Sequence, residues 1–430
     1  MSSKDSASEQ PDGEKVQGPK TTTSGGGSGW APDFPDGGAR AWTVAASASG
    51  LMFCSFGYIN AFGVYQEYYQ LHQLADRTPD EISWIGSLQV FFLFASTVIG
   101  GPLFDRYGSM VVWPSSFLLV FSVMMTSLCQ EYYQFMLAQG VLEGMAAGML
   151  MAPGLAAVGH YFLKKRGAAM GLAVGGSSIG GIIFPIVLTQ LLNNSSIGFG
   201  WSIRACGFII LVVIIPSTIA LRPRLPPRKK KLILWSAFKQ PSFVGLIICN
   251  FLLTMGLFIP MFYLPNYAIQ RGMSPTMSQN LVAILNAASF LGRIILGIVA
   301  DRYLGRFTVL GMAGLATGII SFCWTRTTTP VAIIVYSAIY GFTSGAVVSM
   351  LSACFAQVTA DPRNIGTYMG LGMFCVAFGG LIGTPISGVL VSRYGGYLQT
   401  SILSGTVIVI GALLVVVVKR LCGKGLVSKF

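Results

Sequence analysis

GPLFDRYG occupies residues 101–108 and GIVADRYLGR residues 297–306. Each follows a long oily run, and each ends it with the same Asp-Arg-Tyr step flanked by glycine. Charges beside hydrocarbon are costly, so a chain that keeps the same charged step twice is marking one position in each of two equivalent halves.

The surroundings decide the class. Of 430 residues, 53% are hydrophobic and 10% charged, and the mean hydropathy is +0.66. A soluble domain carries about 25% charged residues, so here lipid must solvate the apolar surface. Membrane-spanning strands alternate over about ten residues, and no such alternation occurs, so the spans are helical. Twelve apolar stretches of the length a bilayer needs lie near 41–65, 83–104, 110–129, 133–158, 167–191, 201–221, 242–268, 279–300, 307–326, 330–357, 366–391 and 398–419. The first DRY step closes span 2 and the second closes span 8, one in each half. The expectation is an all-α membrane protein of twelve transmembrane helices in two six-helix pseudo-repeats. Its sections are a disordered cytoplasmic tail (1–34), an N-terminal half (35–221), a basic cytoplasmic linker (222–240), a C-terminal half (241–420) and a short cytoplasmic tail (421–430).

A net charge of +13 raises the question of nucleic acid. The cations instead cluster between apolar segments, at Lys164 to Arg166, in RPRLPPRKKK (222–231) and after residue 418. That distribution orients a membrane protein, with Lys and Arg kept inside, and excludes a nucleic-acid partner. It places both termini in the cytoplasm, with the plasma membrane as the expected location ahead of the vacuole. The eight cysteines are scattered singly, and no Cys/His cluster suggests a metal or a disulfide framework. TTTSGGGSG at 21–29 is linker-like, and the first 34 residues lack the apolar core of a cleaved signal peptide.

The G-x-x-x-D-R-x-G element resembles the loop between spans 2 and 3 of the major facilitator superfamily. Gly101, Asp105, Arg106 and Gly108 fit it, with Ser109 and Met110 replacing the trailing cations. Gly297, Asp301 and Arg302 fit the second copy, with one residue inserted before Gly305 and Arg306. PDGGARAW (35–42) and HYFLKKRGAAMGLAVGGSSIGG (160–181) are similar to signatures of the monocarboxylate-transporter-like branch, and NAFGVYQEYY is similar to its fungal members. The resemblance implies alternating access, with Asp105–Arg106 and Asp301–Arg302 as a cytoplasmic latch, weaker in the first half, and spans 1, 4, 7 and 10 lining the cavity. It also exposes a departure. Where animal lactate carriers place a Lys, an Asp and an Arg, this chain has Asn60, Ser289 and Arg293, so only the arginine remains.

Buried charge then points to candidate residues. Arg293 lies within a span and is expected to attract an anionic substrate group, the plainer reading being a structural pair or a snorkel toward the cytoplasmic face. Glu143, midway along span 4, suits substrate or proton handling, pairing with Arg293, or a protonated residue that bonds its own helix. Helical spacing offers cavity faces that include Asn60, Asn250, Thr254 and Tyr340, each alone more often a helix contact. Gly140, Gly144 and Gly148 read as close helix packing. Gly176 to Gly180 matches the GxSxG nucleophile pattern by chance, because the serine lies in a helix and only His72 and His160 exist. Asn193 and Asn194 begin overlapping glycosylation sequons.

The leading reading is a secondary active transporter of a small organic metabolite, anionic or weakly acidic, exporting a fungal secondary metabolite. Its rivals are proton-coupled uptake of a monocarboxylate and a non-transporting nutrient sensor. No nucleotide-binding loop and no catalytic constellation point to an enzyme or an ATP-driven pump. Beyond a coupling proton no cofactor is expected, and the partners are the substrate and the lipid bilayer.

Overall fold

The computed structural model describes residues 34–193, 197–226, 234–359 and 361–422. Helix is the only regular structure among them. Eleven helical stretches among the described residues are long and apolar enough to cross a membrane. One of them, Glu81–Thr126, is 46 residues long, about 69 Å at 1.5 Å per residue, where a bilayer core needs about 30 Å. It holds two passes, reversed at Gly108 (φ 65°) and the 3₁₀ turn Gly108–Val111. The described residues therefore make twelve passes, as the sequence predicts.

The first six are α1 (Ala39–Leu71), α2 (Pro79–Ala95, continuing as Thr97–Tyr107), α3 (Val112–Thr126), α4 (Tyr132–Tyr161), α5 (Arg166–Asn193) and α6 (Gly198–Ala220). The second six are α7 (Pro241–Gln270), α8 (Pro275–Val299, continuing as Ala300–Leu304), α9 (Arg306–Cys323), α10 (Pro330–Val358), α11 (Ile365–Tyr394) and α12 (Leu398–Leu421). Sequence signals place their starts. Thr78 closes a capping box with Glu81, and Ser274 and Thr329 cap helices whose first residue is proline.

Both described termini share one end of the bundle with the connections after α2, α4, α8 and α10. There the Asp36 N–H donates to the Tyr161 carbonyl (3.1 Å), the Tyr161 hydroxyl to the Arg222 carbonyl (3.2 Å) and Lys419 Nζ to Thr308 Oγ1 (2.8 Å). We call this the basic end. At the opposite end Tyr132 bonds the Glu81 carbonyl, and the rings of Tyr267, Trp324 and Tyr397 pack together.

Glycine sets how closely helices approach. A Cβ on Gly144 would stand 2.6 Å from the Gln89 carbonyl oxygen, and one on Gly140 3.3 Å from that of Ile85. The glycine ladder of α4 therefore seats that helix on α2, through backbone contact as expected. Between the halves, α5 packs on α8 and α2 on α11.

Two features differ from the expected spans. α1 reaches Leu71, because the chain breaks at Asn60–Ala61 and restarts as helix at Phe62. α1 and α4 also each contain a π-type turn, Phe53–Gly57 and Met136–Glu143. The tail up to Asp33, residues 227–233 of the linker, Asn194 with its sequon, the Asn193 side chain and the residues after 422 lie outside the described residues.

Candidate functional site

The duplicated step turns out to be a crossed clamp. Gly101 packs against the backbone of Gly366 on α11, so close that a Cβ could not fit. Four residues on, the Asp105 carboxylate accepts the Gly366 N–H (3.0 Å), the Thr367 N–H (2.6 Å) and the Thr367 hydroxyl (2.6 Å). In the second copy Gly297 packs on Gly167 of α5, and Asp301 accepts the N–H groups of Gly167 (2.9 Å) and Ala168 (2.8 Å). Each aspartate thus caps the first turn of a helix in the other half, satisfying orphan donors and opposing the positive end of the dipole.

This corrects the expected latch. Arg106 and Arg302 are exposed, and Arg106 lies over the Tyr107 ring. The cation that serves the clamp is Arg306, bonded to Asp301 (3.0 Å) and to the Leu163 carbonyl of the other half. The residue inserted in the second copy puts Gly305 at φ 81°, a conformation that suits glycine, with Arg306 directly after it. Arg166 adds a third tie, donating to the Ala356 carbonyl across the halves at 3.0 Å. In the first copy, which lacks the trailing cations, the Thr367 hydroxyl supplies the further bond.

Further from the basic end the two halves meet along α5 and α8. Arg293 is buried there, its Nη1 donating to the Val174 carbonyl (2.5 Å) and to Ser177 Oγ (2.6 Å). Asn60, at the break of α1, reaches the Ser177 carbonyl at 3.4 Å, and Asn286 reaches that of Gly181 at 3.5 Å. The arginine therefore holds a seam. The pairing with Glu143 does not form: that carboxyl sits inside the first half, bonded to Gln89 Nε2 at 2.6 Å. Ser178 of the GxSxG match is buried with its hydroxyl unpartnered, while His160 lies at the basic end.

A cavity opens beside the seam, lined by both halves. Phe94, Met151 and Val174 face Thr254, Leu257, Phe258, Leu351, Ser352 and Met373. The rings of Phe94 and Phe258 meet at its wall with centroids 6.1 Å apart, and Phe56 packs on Phe94 at the same distance. Of the expected polar residues, Thr254 lines this cavity. Asn250, on the same face of α7 and wholly buried, has no partner for either amide atom. Tyr340 instead ties α10 to α7 through the Leu257 carbonyl (2.7 Å). The walls from α2, α5 and α11 are not among spans 1, 4, 7 and 10, and α1 contributes no lining residue. Val174, Met151 and Met373 carry no polar signal, so sequence reasoning had nothing to find them by. Among the described residues no cluster could hold a metal ion.

Two six-helix halves clamped at one end, with an apolar cavity between them, define a membrane transporter that works by moving one half against the other. The chain belongs to the Major Facilitator Superfamily, which it matches over residues 44–384. It is 50% identical to the aspyridones efflux protein apdF of Emericella nidulans, covering 89% of this chain and 78% of that protein. It is 39% identical to the agnestins efflux protein AgnL12 of Paecilomyces divaricatus, covering 91% and 90%. The fold is similar to that of the human organic anion transporter MFSD10, with TM-score 0.73 and 13% identity over 88% of this chain and 100% of that one. The protein is a transporter and not an enzyme.

Proposed function

We propose that the protein exports a small fungal secondary metabolite, anionic or weakly acidic, by alternating access across the plasma membrane, with both termini in the cytoplasm. The observation that carries this reading is the inter-half cavity of Phe, Met, Leu and Val with isolated hydroxyls at Thr254 and Ser352, in a chain half identical to an aspyridones efflux protein. Such a lining suits a largely apolar organic molecule with a few hydrogen-bonding groups. Asn250 and Thr254 would contact the cargo, while Tyr340 shapes the wall. Arg293 and Asn60 would act at the seam, and an anionic cargo group would compete with Val174 and Ser177 for the guanidinium. Uptake of a monocarboxylate has less support, since the Lys and Asp of the lactate-carrier set are absent and the relatives are named for efflux.

The finer placement in the monocarboxylate-transporter-like branch is supported by contact between the two signature stretches. Asp36 of PDGGARAW accepts the N–H groups of Leu163, Lys164 and Lys165 at 2.7, 2.6 and 3.2 Å. Inside-out vesicles carrying the protein test the function, with aspyridones as probe. Accumulation above empty vesicles, lost in Thr254→Trp, is the expected result. Equal uptake by empty and loaded vesicles would contradict it for this cargo class.

A further inference from the structure

The loop between α4 and α5 carries three ties to the second half. Its Leu163 and Lys164 carbonyls accept from Arg306, and the Gly167 and Ala168 N–H groups just after it reach Asp301. Arg166 reaches the Ala356 carbonyl. Yet the loop itself, Phe162 to Lys165, has no side chain that can accept a hydrogen bond and hold its turn. The matching loop between α10 and α11 has one. There Asp361 accepts the Arg363 N–H at 3.0 Å and pairs with the Arg363 guanidinium at 2.9 Å, five residues before Gly366. The residue five before Gly167 is Phe162, buried with its ring centroid 5.0 Å from that of Trp42.

The missing acceptor comes from outside the loop. A single oxygen of Asp36, Oδ1, accepts the N–H groups of Leu163, Lys164 and Lys165, and the Asp36 N–H donates to the Tyr161 carbonyl. Successive N–H groups turned to one side favour an anion. Five of the six residues from Leu163 to Ala168 thus give their N–H to one of two aspartates, Asp36 before α1 or Asp301 in the other half. Asp36 is also the one non-glycine residue with positive φ (46°) among the described residues. Such a strained backbone persists only where its surroundings hold it. Beside it the Phe34 ring lies 5.9 Å from the Arg166 guanidinium, at the third tie. The segment from Phe34 to Gly38 therefore lies on the loop as a strap.

We propose that Asp36 is a positioning residue of the transport cycle. The strap presets the α4–α5 loop for Asp301 and Arg306, so the second copy of the clamp closes only while Asp36 is docked. Release of the strap frees the basic end on that side. The first copy is indifferent to it, because Asp361 holds the loop before Gly366. One copy of the clamp is thus built in, and the other depends on the segment that precedes α1. This inference rests on the clamp and on no property of the cargo.

The test is a double-mutant cycle in the full chain, read as the rate of Cys354 alkylation by mass spectrometry. Asp36→Ala should raise that rate about tenfold, and Asp36→Asn, which keeps the one acceptor oxygen, by no more than about threefold. In an Asp301→Ala background, Asp36→Ala should change the rate by less than about twofold, because the contact it prepares is already lost. In an Asp105→Ala background it should act at full strength. Equal effects in the two backgrounds would overturn the proposal, and so would an unchanged rate in Asp36→Ala alone. Cys206 and Cys249, buried in α6 and α7, report on folding. Their alkylation should stay slow. If it rises with that of Cys354, the strap is needed for the fold itself and the proposal falls.

Discussion

At the residue scale, two aspartates do the work that their sequence neighbours seemed made for. Asp105 and Asp301 each stand before an arginine, yet each spends its oxygens on the first turn of a helix in the other half. A charge-assisted bond of this kind contributes about 1.5–3 kcal/mol. Replacing either aspartate by Asn should therefore loosen the basic end, and alkylation of Cys354, buried within about one turn of that end of α10, should rise about tenfold. Unchanged alkylation would show that the caps do not hold this end shut. The duplication alone exposed these aspartates. Their partners were not legible, because Gly366, Thr367, Gly167 and Ala168 carry no charge and are far away in sequence. Arg293 was legible as important for the opposite reason, since a lone charge in an apolar run needs a cause. Its partner, a main-chain carbonyl, leaves no mark in sequence. Arg293→Ala should leave that carbonyl and Ser177 without their donor and lower transport at least about tenfold with the protein still in the membrane, measured as vesicle uptake per protein.

At the scale of elements, the twelve passes followed from apolar length. The glycine ladder of α4 was equally legible, and the structure supplies its object, the backbone of α2. Gly144→Leu should prevent stable folding, because the added side chain meets the Gln89 carbonyl and Phe92, whereas Gly63→Ala, with open space around it, should be neutral. Fluorescence-detected gel filtration of the two variants separates these outcomes, and a monodisperse Gly144→Leu peak would contradict the packing. The π-type turns and the break at Asn60 were not legible. Hydrophobic length and periodicity carry no signal for either. The cavity wall escaped for a related reason, since helical spacing identifies polar faces and this wall is mostly hydrocarbon.

At the scale of the whole molecule, the crossed clamp ties closure of the basic end to both halves at once. Gly101→Val and Gly297→Val should shift the population away from this conformation without unfolding the halves, because the clamp contacts are needed only when that end is shut. Faster Cys354 alkylation with unchanged thermal stability is the expected signature, and joint loss of both would mean that the contacts are needed for folding itself. The account as a whole stands on export through the cavity between the halves. Its most direct test is metabolite profiling of cells and medium in wild type, a deletion strain, and the deletion carrying Arg293→Ala. The account predicts a compound that builds up inside and falls outside on deletion, unrestored by the variant. An external nutrient left unconsumed by the deletion strain, with no compound retained inside, would contradict it.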